Sequence, residues 1–390
     1  VVNPFNLSVA ITSEFMEQVE KDSRFAPEGL RPDQKEVDRI IGEIQESLCI
    51  LNFDDRVENF ESKVGELEKL VFATQEGEGF ELVDPSTGIV WKKYNARKVF
   101  DIIARLAWEK GDPGVVFIDR INEDNPTPYI GRIESTNPCG EQPLLPYESC
   151  NLGHINLAEM VKDGQIDWDK LKKVTGTGVH FLDNVIDMNQ FPLPQIEEMT
   201  LANRKIGLGV MGFADMLVQL GIPYNSEEAL EVAEKVMSFI RDEARQASQD
   251  LAEERGIFPN FDGSIYDPES PYYKGLPLKL RNAAIITIAP TGTTAMLADV
   301  SSGIEPRFAV YYEKETVKGK VPTLNPYFVK IAKGRGFWSE DLLSKVEANG
   351  GSVRGLREVP EDVQALFPTA SEISPEWHIR IQAAFQKHVD

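Results

Sequence analysis

The chain has 390 residues, and its contents of 42% hydrophobic and 9% aromatic residues are typical of a globular protein with a substantial core. Its formal net charge of -22 argues against a nucleic-acid partner, because binding to phosphates needs a basic surface. No apolar run reaches the roughly 18 residues of a membrane span, and the N-terminus lacks the pattern of a secretory signal. The number of cysteines is odd, three, which does not make a set of disulfides and fits a reducing cytoplasm. With four histidines and no CxxC or HExxH pattern, we also expect no metal site.

The N-terminal part of the chain predicts a strand, a helix and then an insertion. Residues 5–11 alternate apolar and polar side chains, and residues 14–23 have the composition of a short helix. Residues 25–78 differ from the rest, because two apolar series at helical spacing predict a charged helical hairpin. Cys49 ends the first series and is interpreted as a small buried hydrophobe. We interpret 25–78 as an insertion on the surface of a larger domain.

The rest of the chain predicts alternating strands and helices. The predicted elements are two short strands within 82–91 joined by a turn at 84–88, a helix at 96–110, a buried strand at 115–118, a loop through the cysteine segment as far as 156, helices at 170–188 and 194–221, the second broken by glycines, an acidic helix at 226–255, a buried strand at 283–288, and a helix at 375–390. Both ends of the chain stop abruptly, so we expect a domain that is incomplete at both ends.

Two of the three cysteines lie in one segment, STNPCGEQPLLPYESCNLG. Cys139 is flanked by Asn137 and Glu141, and Cys150 follows. Three kinds of chemistry are consistent with this pattern: a cysteine nucleophile with His154 as base, a redox pair of the two thiols, or a thiol that gives up a hydrogen atom. The residues alone leave these open, beside two free cysteines of no function.

A second pattern is a buried strand that runs into the turn PTGTT at the start of a helix. Free backbone N–H groups and the hydroxyls of Thr291, Thr293 and Thr294 could bind a phosphate there, with Gly292 allowing close approach. The lysine of a P-loop is absent. An ordinary capped helix after a strand explains the pattern equally well.

NPCGEQPLLPYESCNLG resembles the active-site loop of ribonucleotide reductase large subunits, particularly the adenosylcobalamin-dependent class II enzymes. GDPGVVFIDRINEDNPTP, RKIGLGVMGFADML and APTGTTAMLADVSSGIEPRFAVYYEK resemble the same family, in the same order, and so does the opening NPFNLSVAITSEFM. Outside 25–78 the resemblance covers nearly the whole chain.

The resemblance implies an incomplete ten-stranded α/β barrel over residues 1–390, made of two five-stranded parallel halves with a central finger loop. It implies that Cys139 forms the thiyl radical that takes the 3′ hydrogen of the substrate, that Glu141 removes the 3′-hydroxyl proton, and that Asn137 binds the ribose hydroxyls. Cys150 would be one half of the dithiol that supplies electrons as the 2′-hydroxyl leaves as water. The residues implied to hold the substrate phosphates are Pro290, Thr291, Gly292, Thr293 and Thr294.

The resemblance also implies the cofactor and the partners. These are adenosylcobalamin, a ribonucleoside di- or triphosphate, a dithiol reductant such as thioredoxin, and a second copy of the chain in a homodimer, in the service of DNA synthesis. The family's other redox cysteine lies upstream of the finger loop and has no counterpart here, so we expect a complementary N-terminal fragment.

Three alternative functions stay open. The first is a class I large subunit, which takes its radical from a separate metal-containing partner. Its relay tyrosines would lie beyond Asp390, and the pair Tyr311 and Tyr312 is a poor candidate for them. The second is a non-catalytic nucleotide-binding or assembly subunit, and the third is a cysteine hydrolase.

Overall fold

The structure consists of two units, and the first extends to Glu123 and contains a parallel pair of strands. The computed structural model describes residues 8–25, 79–84, 86–316 and 319–390. The elements of the first unit are strand β1 (Ser8–Ile11), helix α1 (Ser13–Phe25), strands β2 (Phe80–Val83) and β3 (Val90–Tyr94), helix α2 (Ala96–Lys110), strand β4 (Gly114–Phe117) and helix α3 (Ile118–Glu123). Strand β1 pairs in parallel with β4, and β2 pairs antiparallel with β3.

Local capping residues explain where helix α2 begins and ends. Asn95 Oδ1 accepts the N–H of Lys98 at 2.9 Å, which caps the first turn. Gly111 follows the helix at a φ of +80°, a left-handed conformation that ends helices and favours glycine. The structure confirms the helices predicted at 14–23 and 96–110, which occur as α1 and α2. It also confirms the two strands around the turn at 84–88, which occur as β2 and β3.

Two predictions for this part of the chain differ from the structure or lie outside it. The strand predicted at 115–118 occurs as β4, but it is not buried, since Val115 and Phe117 are 40% and 46% exposed. The apolar run predicts the strand but not its burial, because β-branched residues favour strands whether or not both faces are covered. Residues 5–7 and, beyond Phe25, the predicted hairpin over 25–78 lie outside the described residues.

The second unit, Asp124–Asp390, contains the cysteine segment. Its strands are β5 (Ser135–Thr136), β6 (Pro143–Leu144), β7 (Asn151–Asn156), β8 (Val161–Lys162), β9 (Gln165–Ile166), β10 (Ile206–Met211), β11 (Tyr311–Thr316) and β12 (Gly319–Leu324). Its helices are α4 (Trp168–Met188), α5 (Pro194–Asn203), α6 (Phe213–Leu220), α7 (Glu227–Arg255), α8 (Gly292–Leu297), α9 (Pro326–Arg335), α10 (Glu340–Ala348), α11 (Glu361–Leu366) and α12 (Pro375–Gln386).

Three parallel segments of backbone form the centre of this unit. Strand β10 pairs in parallel with β7 on one side. On its other side the Leu208 N–H donates to the Ile285 carbonyl at 2.7 Å, and the Thr287 N–H donates to the Leu208 carbonyl at 3.1 Å. Residues 284–287 thus extend the sheet, as the buried run at 283–288 predicts. Helix α4 packs close to β7, because a Cβ at Gly153 would lie 3.3 Å from Leu182.

Two predictions around this sheet are wrong. The helix predicted over 194–221 is two helices, α5 and α6, separated by strand β10. The glycine-rich run 206–211 is fully buried, and glycine in a strand marks close approach of other groups rather than a break in a helix. The loop predicted as far as 156 ends earlier, because β7 begins at Asn151 directly after Cys150.

The main core packs α4, α6, α7 and α12 around β7 and β10, and a smaller core joins α9, α10 and α11. The described residues form a mixed α/β structure whose strands pair in twos and threes, and no closed barrel occurs among them. No helix in the parts of the chain that the structure describes combines the length and apolar character needed to cross a membrane.

Candidate active site

The NPCGE sequence forms the tip of a short hairpin between β5 and β6. The Asn137 N–H donates to the Gln142 carbonyl at 3.0 Å, and the Gly140 N–H donates to the Asn137 carbonyl at 3.0 Å. Gly140 has a φ of +88°, a conformation that few residues other than glycine adopt readily. The hairpin presents Cys139 as an exposed, free thiol at its tip.

The Asn137 side chain braces the hairpin from within. Its Oδ1 accepts the N–H of Gln142 at 2.9 Å, and the Thr136 hydroxyl donates to the Asn137 carbonyl at 2.9 Å. The amide oxygen of Asn137 is therefore used internally. What it offers a ligand is the Nδ2 donor.

Glu141 is held by a residue far away in the sequence. The Thr287 hydroxyl donates to the Glu141 carbonyl at 2.7 Å, across 146 positions of the chain. Oε2 of the Glu141 carboxylate is buried and has no hydrogen-bond partner. The backbone of Glu141 is thus fixed, while one carboxylate oxygen stays available as an acceptor.

Two glycines of β10 make room for this arrangement. A Cβ at Gly207 would lie 2.4 Å from Leu152 Cδ2 and 2.5 Å from Gln142 Nε2. A Cβ at Gly209 would lie 2.7 Å from the Thr287 carbonyl oxygen. Real Cβ atoms do not approach other atoms so closely, so the GLG pattern lets the hairpin and residue 287 lie directly against the strand.

Cys150 has a very different environment from Cys139. Its Sγ donates to the Asn151 carbonyl at 3.3 Å. Burial raises the pKa of the Cys150 thiol far above its usual value, and the carboxylates of Glu148 and Glu141 raise it further, against the opposing effect of Lys205. The thiol is therefore protonated at neutral pH.

A buried ion pair lies beside Cys150. Lys205 Nζ is 2.7 Å from Glu148 Oε2, with 2% and 0% of the two side chains exposed. Glu148 also accepts the N–H of Leu145 at 2.9 Å and Nδ2 of Asn203 at 2.6 Å. Such a pair is stable only with additional hydrogen bonds of this kind, and it ties the segment after the hairpin to the start of β10.

The PTGTT turn differs from an ordinary capped helix, while its predicted role in binding phosphate stays a prediction. Thr291 adopts a φ of +56° and its side chain does not cap helix α8. Instead its buried hydroxyl accepts the Gly303 N–H at 2.7 Å. Thr293 and Thr294 are exposed, and a Cβ at Gly292 would meet nothing within 4 Å. The free hydroxyls and N–H groups at this turn are therefore those of residues 292–294.

The sequence indicated Asn137, Cys139, Glu141 and Cys150, but it did not point to Thr287, Gly207 and Gly209, or the pair of Lys205 and Glu148. The glycine spacing in KIGLGVM was a signal that could have revealed the close approach at β10. In the part of the chain that the structure describes, no three His, Cys, Asp or Glu side chains are grouped as a metal site.

Known proteins resemble this chain in sequence and in fold. The family model for the ribonucleotide reductase barrel domain matches residues 1–390. A Mycobacterium tuberculosis protein named vitamin B12-dependent ribonucleoside-diphosphate reductase is 47% identical over 332 residues, which cover 85% of this chain and 47% of that protein. A Thermoplasma acidophilum protein of the same name is 48% identical over 334 residues, covering 85% and 42%. In a solved structure, the Actinobacillus ureae class Id ribonucleotide reductase alpha subunit, the match has a TM-score of 0.62 at 24% identity and covers 76% of this chain and 54% of that one.

The fold and the site define an α/β protein that presents a thiol on a hairpin beside a parallel sheet. The chain belongs to the ribonucleotide reductase barrel-domain family, as its motifs predict. It spans about half the length of the curated relatives it matches. The likeness to the class Id structure supports the fold alone.

Proposed function

We propose that this chain carries the catalytic site of an adenosylcobalamin-dependent ribonucleotide reductase, which converts ribonucleotides to 2′-deoxyribonucleotides by radical chemistry. The observation that carries the proposal is the hairpin with an exposed Cys139 at its tip and a Glu141 whose backbone is held by Thr287. The names of the relatives from Mycobacterium tuberculosis and Thermoplasma acidophilum support the dependence on vitamin B12 and a diphosphate substrate.

The proposed roles suit the environments of the residues. Cys139, as a thiyl radical, would take the 3′ hydrogen atom, and its exposed position supports this role because the sulfur must reach the substrate. Glu141 would accept the 3′-hydroxyl proton at Oε2, the carboxylate oxygen without a partner. Asn137 would donate from Nδ2 to a ribose hydroxyl, since its Oδ1 already accepts the Gln142 N–H.

Cys150 would supply reducing equivalents as one half of a dithiol. Its raised pKa supports a role as a neutral thiol, which can give a hydrogen atom or a proton, and it argues against a role as a nucleophile. A dithiol reductant such as thioredoxin would regenerate it. The partner thiol would come from a segment N-terminal to this chain.

The turn after the sheet would bind the substrate phosphates. The group proposed from the sequence is Pro290, Thr291, Gly292, Thr293 and Thr294. Gly292, Thr293 and Thr294 are the best placed, because they are exposed at the start of helix α8, whereas the Thr291 hydroxyl already accepts the Gly303 N–H. Thr291 would then shape the turn rather than contact the phosphate with its side chain.

The residues around Cys139 fit a bulky radical-generating cofactor. Pro138 and Cys139 are exposed, and a Cβ at Gly140 would meet nothing within 4 Å, so the tip of the hairpin has open space beside the thiol. When bound, adenosylcobalamin would supply the radical that Cys139 passes on to the substrate. The protein's own contribution is to hold the thiol at the tip and the carboxylate close by.

The finer architecture is part of the same proposal. We infer that residues 1–390 belong to one barrel domain of ten strands with the hairpin as its central finger loop, and that the protein forms homodimers. Membership of the barrel-domain family supports the first inference.

Replacing the radical cysteine tests this function. Cys139→Ser removes the S–H bond but keeps the hairpin, because the backbone hydrogen bonds of the turn join Asn137 to Gln142 and to Gly140. We expect the production of deoxyribonucleotide, measured by chromatography with adenosylcobalamin and a dithiol present, to fall below detection. The assay uses the full-length polypeptide that the gene encodes.

Cys49→Ser provides the matched control, since Cys49 has no role in the proposed site, and it should retain activity. Turnover by Cys139→Ser, or turnover that needs no adenosylcobalamin, would contradict the proposal. The second outcome would favour a class I subunit with a separate radical-generating partner.

A further inference from the structure

Two buried polar atoms of the second unit lie close to the hairpin and have no hydrogen-bond partner, Oε2 of Glu141 and Nε2 of His154. A buried polar atom without a partner destabilises the folded state, and folded proteins keep few of them. The proposed function gives Glu141 Oε2 a use, but it gives none to His154. The imidazole therefore needs an explanation of its own.

His154 lies on the face of the sheet that the hairpin covers. Side chains alternate along a strand, so His154 on β7 shares its face with Leu152. Leu152 and Gln142, the residue after Glu141, both surround the Cα of Gly207 on that face. The hairpin thus ends against the same surface from which His154 projects.

The positions next to His154 come from β10 and from the segment beyond it. Gly209 is its partner in the register of β7 and β10, and a Cβ there would lie 3.5 Å from His154 Cδ2. The same Cβ would lie 2.7 Å from the carbonyl of Thr287, the residue that holds Glu141. Neither Gly209 nor Thr287 has a group that titrates.

Glu141 is close enough to His154 to influence the charge of the imidazole. Burial lowers the pKa of His154, and the carboxylate of Glu141 raises it without offsetting the effect of burial. The imidazole is therefore neutral at neutral pH, which is the form that can accept a proton.

We propose that His154 is a second proton-transfer residue of this site, which takes up at Nε2 the proton that Glu141 removes from a ribose hydroxyl. This rests on the function proposed above. Because neither unpartnered atom bonds the other, the proton crosses through a bridging water or through the hydroxyl itself.

The step balances without any transfer of electrons to or from the substrate. The O–H bond of the hydroxyl breaks and the oxygen keeps the electron pair. An N–H bond forms at Nε2 of the tautomer that already carries a proton on Nδ1. The products are an imidazolium at His154 and a free carboxylate at Glu141, which is ready to accept again.

A titration that needs no turnover tests the coupling between the two residues. The chain has four histidines, so Cε1-labelled histidine signals can be assigned with single His→Gln variants by NMR. We expect Glu141→Gln to lower the pKa of His154 by at least about half a unit, because an adjacent carboxylate favours the imidazolium. Glu159 is an exposed carboxylate that follows the same strand, so Glu159→Gln should leave the pKa of His154 unchanged. A His154 titration that is the same in Glu141→Gln and in the wild type would overturn the proposal.

A kinetic comparison then tests the role in catalysis. We expect His154→Gln to lower kcat by roughly 10- to 100-fold with KM within about twofold, since proton-transfer groups act on the chemical step. The fall in rate at acid pH that comes from protonating His154 should disappear. The control is His378→Gln on α12, whose imidazole contacts Glu305 and the Ala370 carbonyl and no residue of the proposed site, and it should behave as the wild type.

A wild-type kcat and pH profile in His154→Gln would overturn the proposal even if Cys139→Ser is inactive. Activity that persists in Cys139→Ser would instead overturn the proposed function. The two failures are therefore distinguishable.

Discussion

At the scale of single residues, the two cysteines of the motif differ in what surrounds them. Cys139 is exposed at a turn, whereas Cys150 directly precedes strand β7 and lies beside Lys205 and Glu148. Thiol reactivity follows the thiolate fraction and access of the reagent. Burial lowers both for Cys150, so one motif holds two thiols of different chemistry.

This difference predicts the order in which the cysteines are alkylated. At pH 8 we expect iodoacetamide to modify Cys139 at least about tenfold faster than Cys150, because burial raises the pKa of Cys150 and the thiol is less exposed than that of Cys139. Mass spectrometry of the digested protein at successive times measures both rates.

The unfolded protein is the control for this prediction. In denaturant the two thiols should react at similar rates, because the burial that separates them is lost. Equal rates in the folded protein would contradict the assigned environment of Cys150.

The raised pKa of Cys150 also links this thiol to the pH dependence of stability. Since its pKa in the folded protein is raised above the usual 9.0, the contribution of this thiol to stability is complete below pH 9 and is lost as the pH rises further.

At the scale of elements, strand β10 positions the site by what it lacks. Its glycines at 207 and 209, on one face of the strand, allow both the hairpin residue Gln142 and Thr287 to approach the strand. A side chain at either glycine would have to displace backbone or a packed residue. Because Thr287 packs against β10 and its hydroxyl donates to the Glu141 carbonyl, the packing at β10 sets the position of the Glu141 backbone.

Adding one methyl group to β10 tests this. In Gly209→Ala the new Cβ would lie 2.7 Å from the Thr287 carbonyl oxygen, so we expect the free energy of unfolding to fall by about 1–3 kcal/mol, as for other overpacked sites. Chemical denaturation followed by circular dichroism measures the change.

Gly176→Ala in helix α4 is the matched control. A Cβ there would meet nothing within 4 Å, so the same substitution should raise the stability by about 0.5–1 kcal/mol through the better helix propensity of alanine. If Gly209→Ala were as stable as the wild type, the strand would not be packed as described.

At the scale of the whole second unit, a buried carboxylate links distant elements of the sequence. Asp183 on α4 is fully buried and accepts from Arg204 at 2.8 Å and from Asn282 at 3.1 Å. Arg255 at the end of α7 and Arg281 lie 3.5 and 3.4 Å from its other oxygen. One charge thus joins two helices to the segments that lead into β10 and into residues 284–287.

Removing this charge should destabilise the unit as a whole. We expect Asp183→Asn to lower the free energy of unfolding by about 3 kcal/mol or more, because it removes the buried counter-ion of Arg204 and leaves only the partly exposed Asp187. Thermal and chemical unfolding of the purified variant measure the loss.

Asp187 provides a control on the same helix and the same arginine. It contacts Arg204 at 2.8 Å, but 45% of its side chain is exposed. Asp187→Asn should therefore cost only about 0–1 kcal/mol, as exposed ion pairs do. Similar losses for the two variants would show that burial does not set the strength of these contacts.

Local signals allowed much of the fold to be predicted. Helices α2 and α7 begin after side chains that accept backbone N–H groups, Asn95 and Ser226, and glycines follow both. These features act over a few residues and can be read directly. Strand β10 was mistaken for part of a helix because its glycines are explained only by neighbours that come from elsewhere in the chain.

The sequence by itself determined the family, the hairpin residues Asn137, Cys139 and Glu141, and the ends of the capped helices, because each depends on a short run of residues. Only the tertiary structure decided that Thr287 holds Glu141, that Lys205 and Glu148 lie beside Cys150, and that His154 faces the site. These are contacts between distant positions. They exist only once β7, β10 and residues 284–287 lie side by side, and burial there changes the chemistry of groups that look ordinary in the sequence.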